Sequence, residues 1–299
     1  MRHSFRAATP SHEPRVDRSL ALRDGRGLRV AEWGAADGRP VVFFHGRPGS
    51  RLLCPDVAAT ERAGVRFLAF DRPGYGRSDP AQGTLRRRDV VADVVELLDQ
   101  LQIDRAALVG WSGGGPHALG CGAMAPERVT AIATVCSPGR PDTEHDVPAE
   151  AWEIVQLARQ DPVGQRDAVR ARCRWLADDP HQLLRLTERF DPLTLEAQGM
   201  REAFVAWMNE AAVVSIEGYV DDWLMECCEP GWGFELGEVG VPVSCWFGER
   251  DRVVPPLHAE LLAEGLVNCR THGCPDCGHF VPVAHWGEIL EQLGHPPTG

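Results

Sequence analysis

The sequence predicts an α/β fold in which a mostly parallel eight-stranded sheet is flanked by helices and carries a helical insertion. Three observations predict it. Short apolar runs bounded by Gly, Pro or Asp recur along the chain, helix-periodic stretches separate several of them, and the alternation stops between about residues 139 and 240. Continuous apolar runs suit strands buried on both faces, and strand followed by helix, repeated, is the pattern of a doubly wound sheet.

A polar leader is expected over residues 1–18. Residues 19–33 then alternate in polarity around Asp24-Gly25-Arg26-Gly27, a turn signal that predicts a hairpin. Apolar runs at 41–44, 65–70, 106–110, 129–135 and 243–247 predict five further strands, with a short one at 268–272. The clearest helix lies at 85–101, where Val90, Val91, Val94, Val95, Leu97, Leu98 and Leu101 follow i, i+3, i+4 spacing. Helices are also expected at 256–266 and 283–293. Residues 140–239 show helical patterning, several Pro breaks and five of the nine tryptophans, and no strand pattern. They predict a cap, or lid, over the strand ends where α/β proteins place ligands, on a core formed by 19–139 and 240–299.

With 299 residues and 43% hydrophobic content, the chain is long enough for one decorated domain. Its formal charge of −12 argues against a nucleic-acid surface, because phosphate backbones are bound by clustered positive charge. All 31 basic residues are Arg, so Schiff-base lysine chemistry, a Ser-Lys dyad and a P-loop lysine are excluded. Residues 1–18 lack the apolar stretch of a signal peptide, and no window approaches the ~20 apolar residues of a membrane helix. The expectation is a cytoplasmic enzyme that meets neither membrane nor nucleic acid and acts on a small molecule. Scattered cysteines, with Cys121, Cys136 and Cys245 inside apolar runs, agree with a reducing compartment.

The strongest chemical signal is Gly110-Trp111-Ser112-Gly113-Gly114-Gly115, between the strand run 106–110 and a helical stretch that starts near Pro116. It matches the G-x-S-x-G nucleophile elbow in its required context of strand, tight turn and helix. Neither G-x-x-x-x-G-K-[ST] nor G-x-G-x-x-G is present there, which disfavours a phosphate loop. His45-Gly46-Arg47-Pro48-Gly49 follows the strand at 41–44, and Asp71-Arg72-Pro73-Gly74-Tyr75-Gly76-Arg77-Ser78 follows the strand at 65–70.

These three motifs, in this order, resemble the α/β-hydrolase superfamily over nearly the whole chain. The resemblance implies an α/β-hydrolase fold and an oxyanion hole made of the backbone N–H groups of Arg47 and Gly113. It also implies an acid and a base downstream. Asp251, just past the strand at 243–247, and His279, 28 residues further on, resemble the family's positions, making Ser112, Asp251 and His279 the catalytic set. Glu249 and Asp276 are the rival acids, and His258, His272 and His285 the rival bases. Activity is expected to rise with pH as the imidazole becomes neutral.

Candidate pocket residues are His45, Trp111, Trp152, Trp207, Met208 and Trp223, although His45 also suits loop orientation and aromatics at helical spacing commonly fill a core. The Arg47 side chain is a further candidate for meeting a substrate carboxylate or carbonyl. Cys274-Pro-Asp-Cys277-Gly-His279 has the local look of a zinc or redox site, but no second C-x-x-C exists and zinc on His279 would silence the base. No metal and no cofactor are expected.

A serine nucleophile does not fit haloalkane dehalogenases or epoxide hydrolases, which use Asp. The leading expectation is a serine esterase acting on a small to medium apolar ester. A C–C bond hydrolase, a perhydrolase, an aminopeptidase-like enzyme and an acyltransferase are the enzymatic alternatives, and a non-catalytic ligand-binding relative is the alternative from another class.

Overall fold

The structure is a computed structural model that describes residues 13–139, 149–160, 164–179, 185, 200–228 and 230–295. Most of the expected leader (1–12) and parts of the expected cap (140–148, 161–163, 180–184, 186–199 and 229) lie outside the described residues.

Eight strands form one sheet: β1 (Val16–Ala21), β2 (Gly27–Gly34), β3 (Arg39–Phe44), β4 (Val65–Phe70), β5 (Ala106–Trp111), β6 (Val129–Val135), β7 (Val243–Gly248) and β8 (Cys269–Cys274). Their order is β1-β2-β4-β3-β5-β6-β7-β8. The hairpin β1-β2 and the pair β2-β4 are antiparallel, and every other pair is parallel. β1 opens at Val16, so three residues of the expected leader belong to the sheet. The reason is electrostatic as well as geometric: Arg15 and Arg18 both donate to the buried carboxylate of Glu32 on β2.

The helices between strands are α1 (Val57–Arg62), α2 (Arg87–Gln100) and α3 (Gly115–Met124), with α9 (Leu257–Gly265) and α10 (Val281–Gly294) near the end of the chain. α1 has no forecast from periodicity, because six residues do not complete two turns. Its start is fixed locally by Asp56, whose carboxylate accepts from the Ala59 N–H at 2.9 Å.

Alternate strand residues feed two cores. Val41, Phe43, Phe67 and Val109 face α1 and α10 residues such as Ala59, Trp286 and Ile289. Val42, Phe44, Leu68 and Leu108 face Val94 and Leu97 of α2 and Leu119 of α3. A period of two with both faces apolar is what a sheet covered by helices on each side requires.

Between β6 and β7 the chain forms α4 (Ala149–Gln160), α5 (Arg166–Cys173), α6 (Trp175–Asp178), α7 (Met200–Ala211) and α8 (Glu217–Cys228), with no strand among the described residues. α7 is fastened to the loop after β3. The Trp207 indole donates to the Ser50 carbonyl at 2.9 Å, and the Ser50 hydroxyl donates back to the Trp207 carbonyl at 3.1 Å. Glu210 pairs with the buried Arg51 at 2.7 Å.

Candidate active site

β3 and β5 are neighbouring parallel strands with Phe44 opposite Gly110, so the loops that follow them emerge side by side at the carboxyl edge of the sheet. This is where open α/β sheets collect ligands. Ser112 sits immediately after β5 with φ +52°, in the left-handed region. The turn continues as a short 3₁₀ segment, Ser112–Gly114, into α3.

The glycines are required by close approach. A Cβ on Gly114 would lie 2.2 Å from the Phe44 carbonyl oxygen, and one on Gly110 would lie 2.5 Å from the Gly115 Cα. Strand, turn and helix therefore pass nearer to one another than side chains permit.

His279 follows β8 and Asp251 follows β7, bringing both to the same edge. His279 Nε2 lies 3.0 Å from Ser112 Oγ, and His279 Nδ1 lies 2.8 Å from Asp251 Oδ2. The second Asp251 oxygen accepts the N–H groups of Val253 and Val254 at 2.8 and 2.9 Å. With Asp251 accepting from Nδ1–H, the imidazole presents an unprotonated Nε2 to the serine hydroxyl. Such a chain of hydrogen bonds can withdraw a proton from Ser112 and stabilise the cation formed.

The rival residues are engaged elsewhere. Glu249 is exposed, and Asp276 pairs with Arg250 at the surface. His258 Nδ1 accepts the Gly139 N–H at 3.1 Å, His272 stacks on Trp246 at 4.3 Å, and His285 pairs with Glu288 at 3.0 Å.

The Arg47 amide lies beside the nucleophile turn: a Cβ on Gly113 would be 3.5 Å from Arg47 N, and one on Gly46 would be 3.4 Å from Ser112 Cβ. The Arg47 guanidinium extends over the Trp223 ring of α8, 4.0 Å from its centroid. It is half-buried and faces the helices between β6 and β7.

The tryptophans divide. Trp111 and Trp207 stack with centroids 5.3 Å apart, and together with Leu53, Phe204, Phe280 and Val283 they line a small apolar pocket beside the elbow. Trp152 packs half-buried on the side of α4 near Arg159, and Met208 is fully buried in the core, so neither lines that pocket.

Of the two roles expected of His45, the structure shows loop orientation and not pocket lining. Its ring is wholly buried, edge-on to Tyr75 at 4.8 Å, and both nitrogens are committed, one to the Gly46 carbonyl and the other to the Arg72 N–H. It orients the loop and offers nothing to a ligand. Burial, reinforced by the Arg72 charge, holds its pKa well below the ordinary imidazole range. Phe280 had a sequence signal in its position next to His279, whereas Phe204 had none.

Cys136, Asp251 and His279 place donor atoms within 4.8 Å of one another. Burial, then the Asp251 charge, push the Cys136 thiol well above its usual pKa, so it is a protonated neighbour of the carboxylate rather than a ready ligand. Cys274 and Cys277 do not join that group, and neither forms a disulfide. Among the described residues, no helix is long and apolar enough to cross a membrane.

A serine at a strand-to-helix elbow, with acid and base delivered by the last two strands, defines the class as an α/β-hydrolase-type site. Residues 39–285 match the family described as alpha/beta hydrolase fold. A 2-hydroxy-6-oxononadienedioate/2-hydroxy-6-oxononatrienedioate hydrolase of Klebsiella pneumoniae is 26% identical, covering 95% of this chain and 96% of that protein. The dihydrolipoyllysine-residue acetyltransferase component of an acetoin cleaving system in Pseudomonas putida is 36% identical, over 90% of this chain and 66% of that protein. A solved hydrolase from Pseudomonas aeruginosa superposes with a TM-score of 0.68 at 21% identity, covering 93% of this chain and 96% of that one. The chain belongs to the α/β-hydrolase family and is an enzyme of that family.

Proposed function

We propose that the protein is a serine hydrolase that cleaves a carboxylic ester, or a closely related acyl bond, of a small to medium apolar substrate. The observation that carries the reading is the continuous chain from Ser112 Oγ through His279 to Asp251. Ser112 Oγ attacks the carbonyl carbon while its proton passes to His279 Nε2. The tetrahedral oxyanion is received by the N–H groups of Arg47 and Gly113, each such donor being worth roughly 3 kcal/mol of barrier in comparable sites. Collapse expels the alkoxide, which takes the proton from His279 and leaves as the alcohol. Water, deprotonated by His279, then attacks the acyl-enzyme, and the proton returns to Ser112 as the acid departs.

Residues 140–239 act in this reading as a cap over the site. The apolar pocket between Trp111, Trp207, Phe204 and Phe280 supports an apolar acyl or alcohol group. No resident metal or cofactor enters any step.

A second reading is favoured by the Klebsiella relative. The substrate in that protein's name is a hydroxy-keto diacid with no ester, so its hydrolysis breaks a C–C bond beside the ketone. The same serine attack serves either bond. The test is a panel of p-nitrophenyl esters of graded chain length run beside a 2-hydroxy-6-oxo-dienoate. Ester turnover at least ~100-fold faster in kcat/KM supports the first reading, and the reverse ranking replaces it with the second.

A further inference from the structure

Asp222 lies on α8, yet its buried carboxylate is where three residues from two elements of the core meet. Arg72 Nη2 donates to Asp222 Oδ2 at 2.5 Å, the Tyr75 hydroxyl donates to the same oxygen at 2.7 Å, and His117 Nε2 lies 3.4 Å from Oδ1. Arg72 and Tyr75 come from the loop after β4 and His117 from α3. All four residues are buried.

The other side of Arg72 grips the loop after β3. Its Nη1 donates to the His45 carbonyl, its Nη2 donates to the Gly46 carbonyl at 3.3 Å, and its own N–H donates to His45 Nε2 at 3.3 Å. Because His45 Nε2 accepts, Nδ1 carries the proton and donates to the same Gly46 oxygen at 2.8 Å. The Gly46 carbonyl is thus held by two donors.

A trans peptide points its C=O and N–H in opposite directions. The Gly46 C=O and the Arg47 N–H belong to one such unit, since the cis bond in this loop is the next one, Arg47-Pro48. Anchoring the Gly46 oxygen therefore sets the direction of the Arg47 N–H, in a loop that passes close to Ser112 and Gly113.

We propose that Asp222 is a positioning residue for the oxyanion hole, holding Arg72 against the His45 and Gly46 carbonyls so that the Arg47 N–H stays aimed at the reacting carbonyl oxygen. The proposal rests on the reading of that N–H as an oxyanion donor. A guanidinium buried this deeply requires a compensating charge, and the acid that supplies it comes from the segment between β6 and β7. Seating α8 and shaping the hole are then a single event. The Asp222 carboxylate is partnered by Arg72, Tyr75 and His117 and not by Ser112, so its influence runs through Arg72.

The test is the second-order rate of Ser112 phosphonylation by a fluorophosphonate, measured against pH on the full chain. Asp222→Asn is expected to lower the plateau rate roughly 100-fold, the size seen when one oxyanion donor is lost, while the pH inflection set by His279 stays in place. Arg72→Met combined with Asp222→Leu removes both buried charges together, so that neither is left unpaired in the core, and is expected to show the same loss. Arg166→Gln releases the Arg166–Asp221 and Arg166–Glu217 pairs that brace α8, without touching Arg72, and is expected to stay within ~3-fold of the wild type.

A folded Asp222→Asn or double variant that reacts at the wild-type rate overturns the proposal. So does a shifted or abolished pH inflection, which would mean that the triad itself had moved, or an Arg166→Gln chain as slow as Asp222→Asn. A wild-type chain that is not phosphonylated at all fails differently, because it removes the serine-nucleophile reading and the proposal with it.

Discussion

The indole N–H of Trp111 donates to the main-chain carbonyl of His279 at 3.0 Å. The residue before the nucleophile thereby holds the backbone of the base, and one hydrogen bond ties β5 to the loop after β8. Trp111→Phe keeps an aromatic ring beside Trp207 and removes the donor together with the smaller ring of the indole. The cost of an unpaired buried carbonyl is about 1 to 2 kcal/mol, so kcat is expected to fall ~5- to 30-fold with KM for a short ester within ~2-fold. Steady-state kinetics check it; an unchanged kcat would show that His279 needs no such tether.

Backbone approach at the elbow yields a stability prediction. In Gly114→Ala the new methyl meets a fixed main-chain oxygen, not a movable side chain. A loss of about 3 kcal/mol or more in urea unfolding is expected, at the upper end of core overpacking. Gly237→Ala, whose Cβ would meet nothing within 4 Å, is the matched control and should be neutral to within about 0.5 kcal/mol.

The five strands β3 to β7 were legible because both of their faces are apolar, and the β1-β2 hairpin because its residues alternate around a turn, patterns that need no tertiary knowledge. Ser112 announces itself by glycines whose necessity the structure explains through Phe44 and Gly115. Asp251 and His279 were legible only through family order, since a lone Asp or His carries no local mark. The network around Asp222 was not legible at all: Arg72 and Asp222 are 150 positions apart, and nothing in either neighbourhood specifies the other. His45 carried two readings in the sequence, pocket residue and loop-orienting residue, and only the partners of its two nitrogens separate them.

The chain should lose stability on the acid side through His117. Burial, then the Arg87 charge, hold its pKa down at about 3, against 6.5 for the free side chain. Between those values the unfolded chain takes up a proton that the folded chain refuses. The folded state is therefore fully favoured above about pH 6.5 and loses up to about 1.4 kcal/mol per pH unit as pH falls toward 3. His117→Gln should show a shallower fall in unfolding free energy between pH 6.5 and 4.5 than the wild type. Parallel profiles for the two proteins would rule out a buried neutral imidazole.

Arg47 contributes its main chain to the proposed hole and its side chain to the space beneath α8, and the two roles separate experimentally. Arg47→Ala keeps the amide, so kcat for a neutral ester should stay within ~3-fold. For an ester bearing a terminal carboxylate KM should rise about tenfold, the equivalent of one charge-assisted hydrogen bond. Equal KM values for the two proteins on that ester would place the guanidinium outside the substrate site.

The central claim is that Ser112 is a nucleophile activated by His279 and Asp251. The most direct measurement is intact-mass and peptide mapping after exposure to a fluorophosphonate, on the wild type, Ser112→Ala and Asp251→Asn. One adduct on Ser112 in the wild type, none in Ser112→Ala, and labelling slowed by ~10³-fold or more in Asp251→Asn are predicted. An unlabelled wild type, or an adduct that persists in Ser112→Ala, would contradict it.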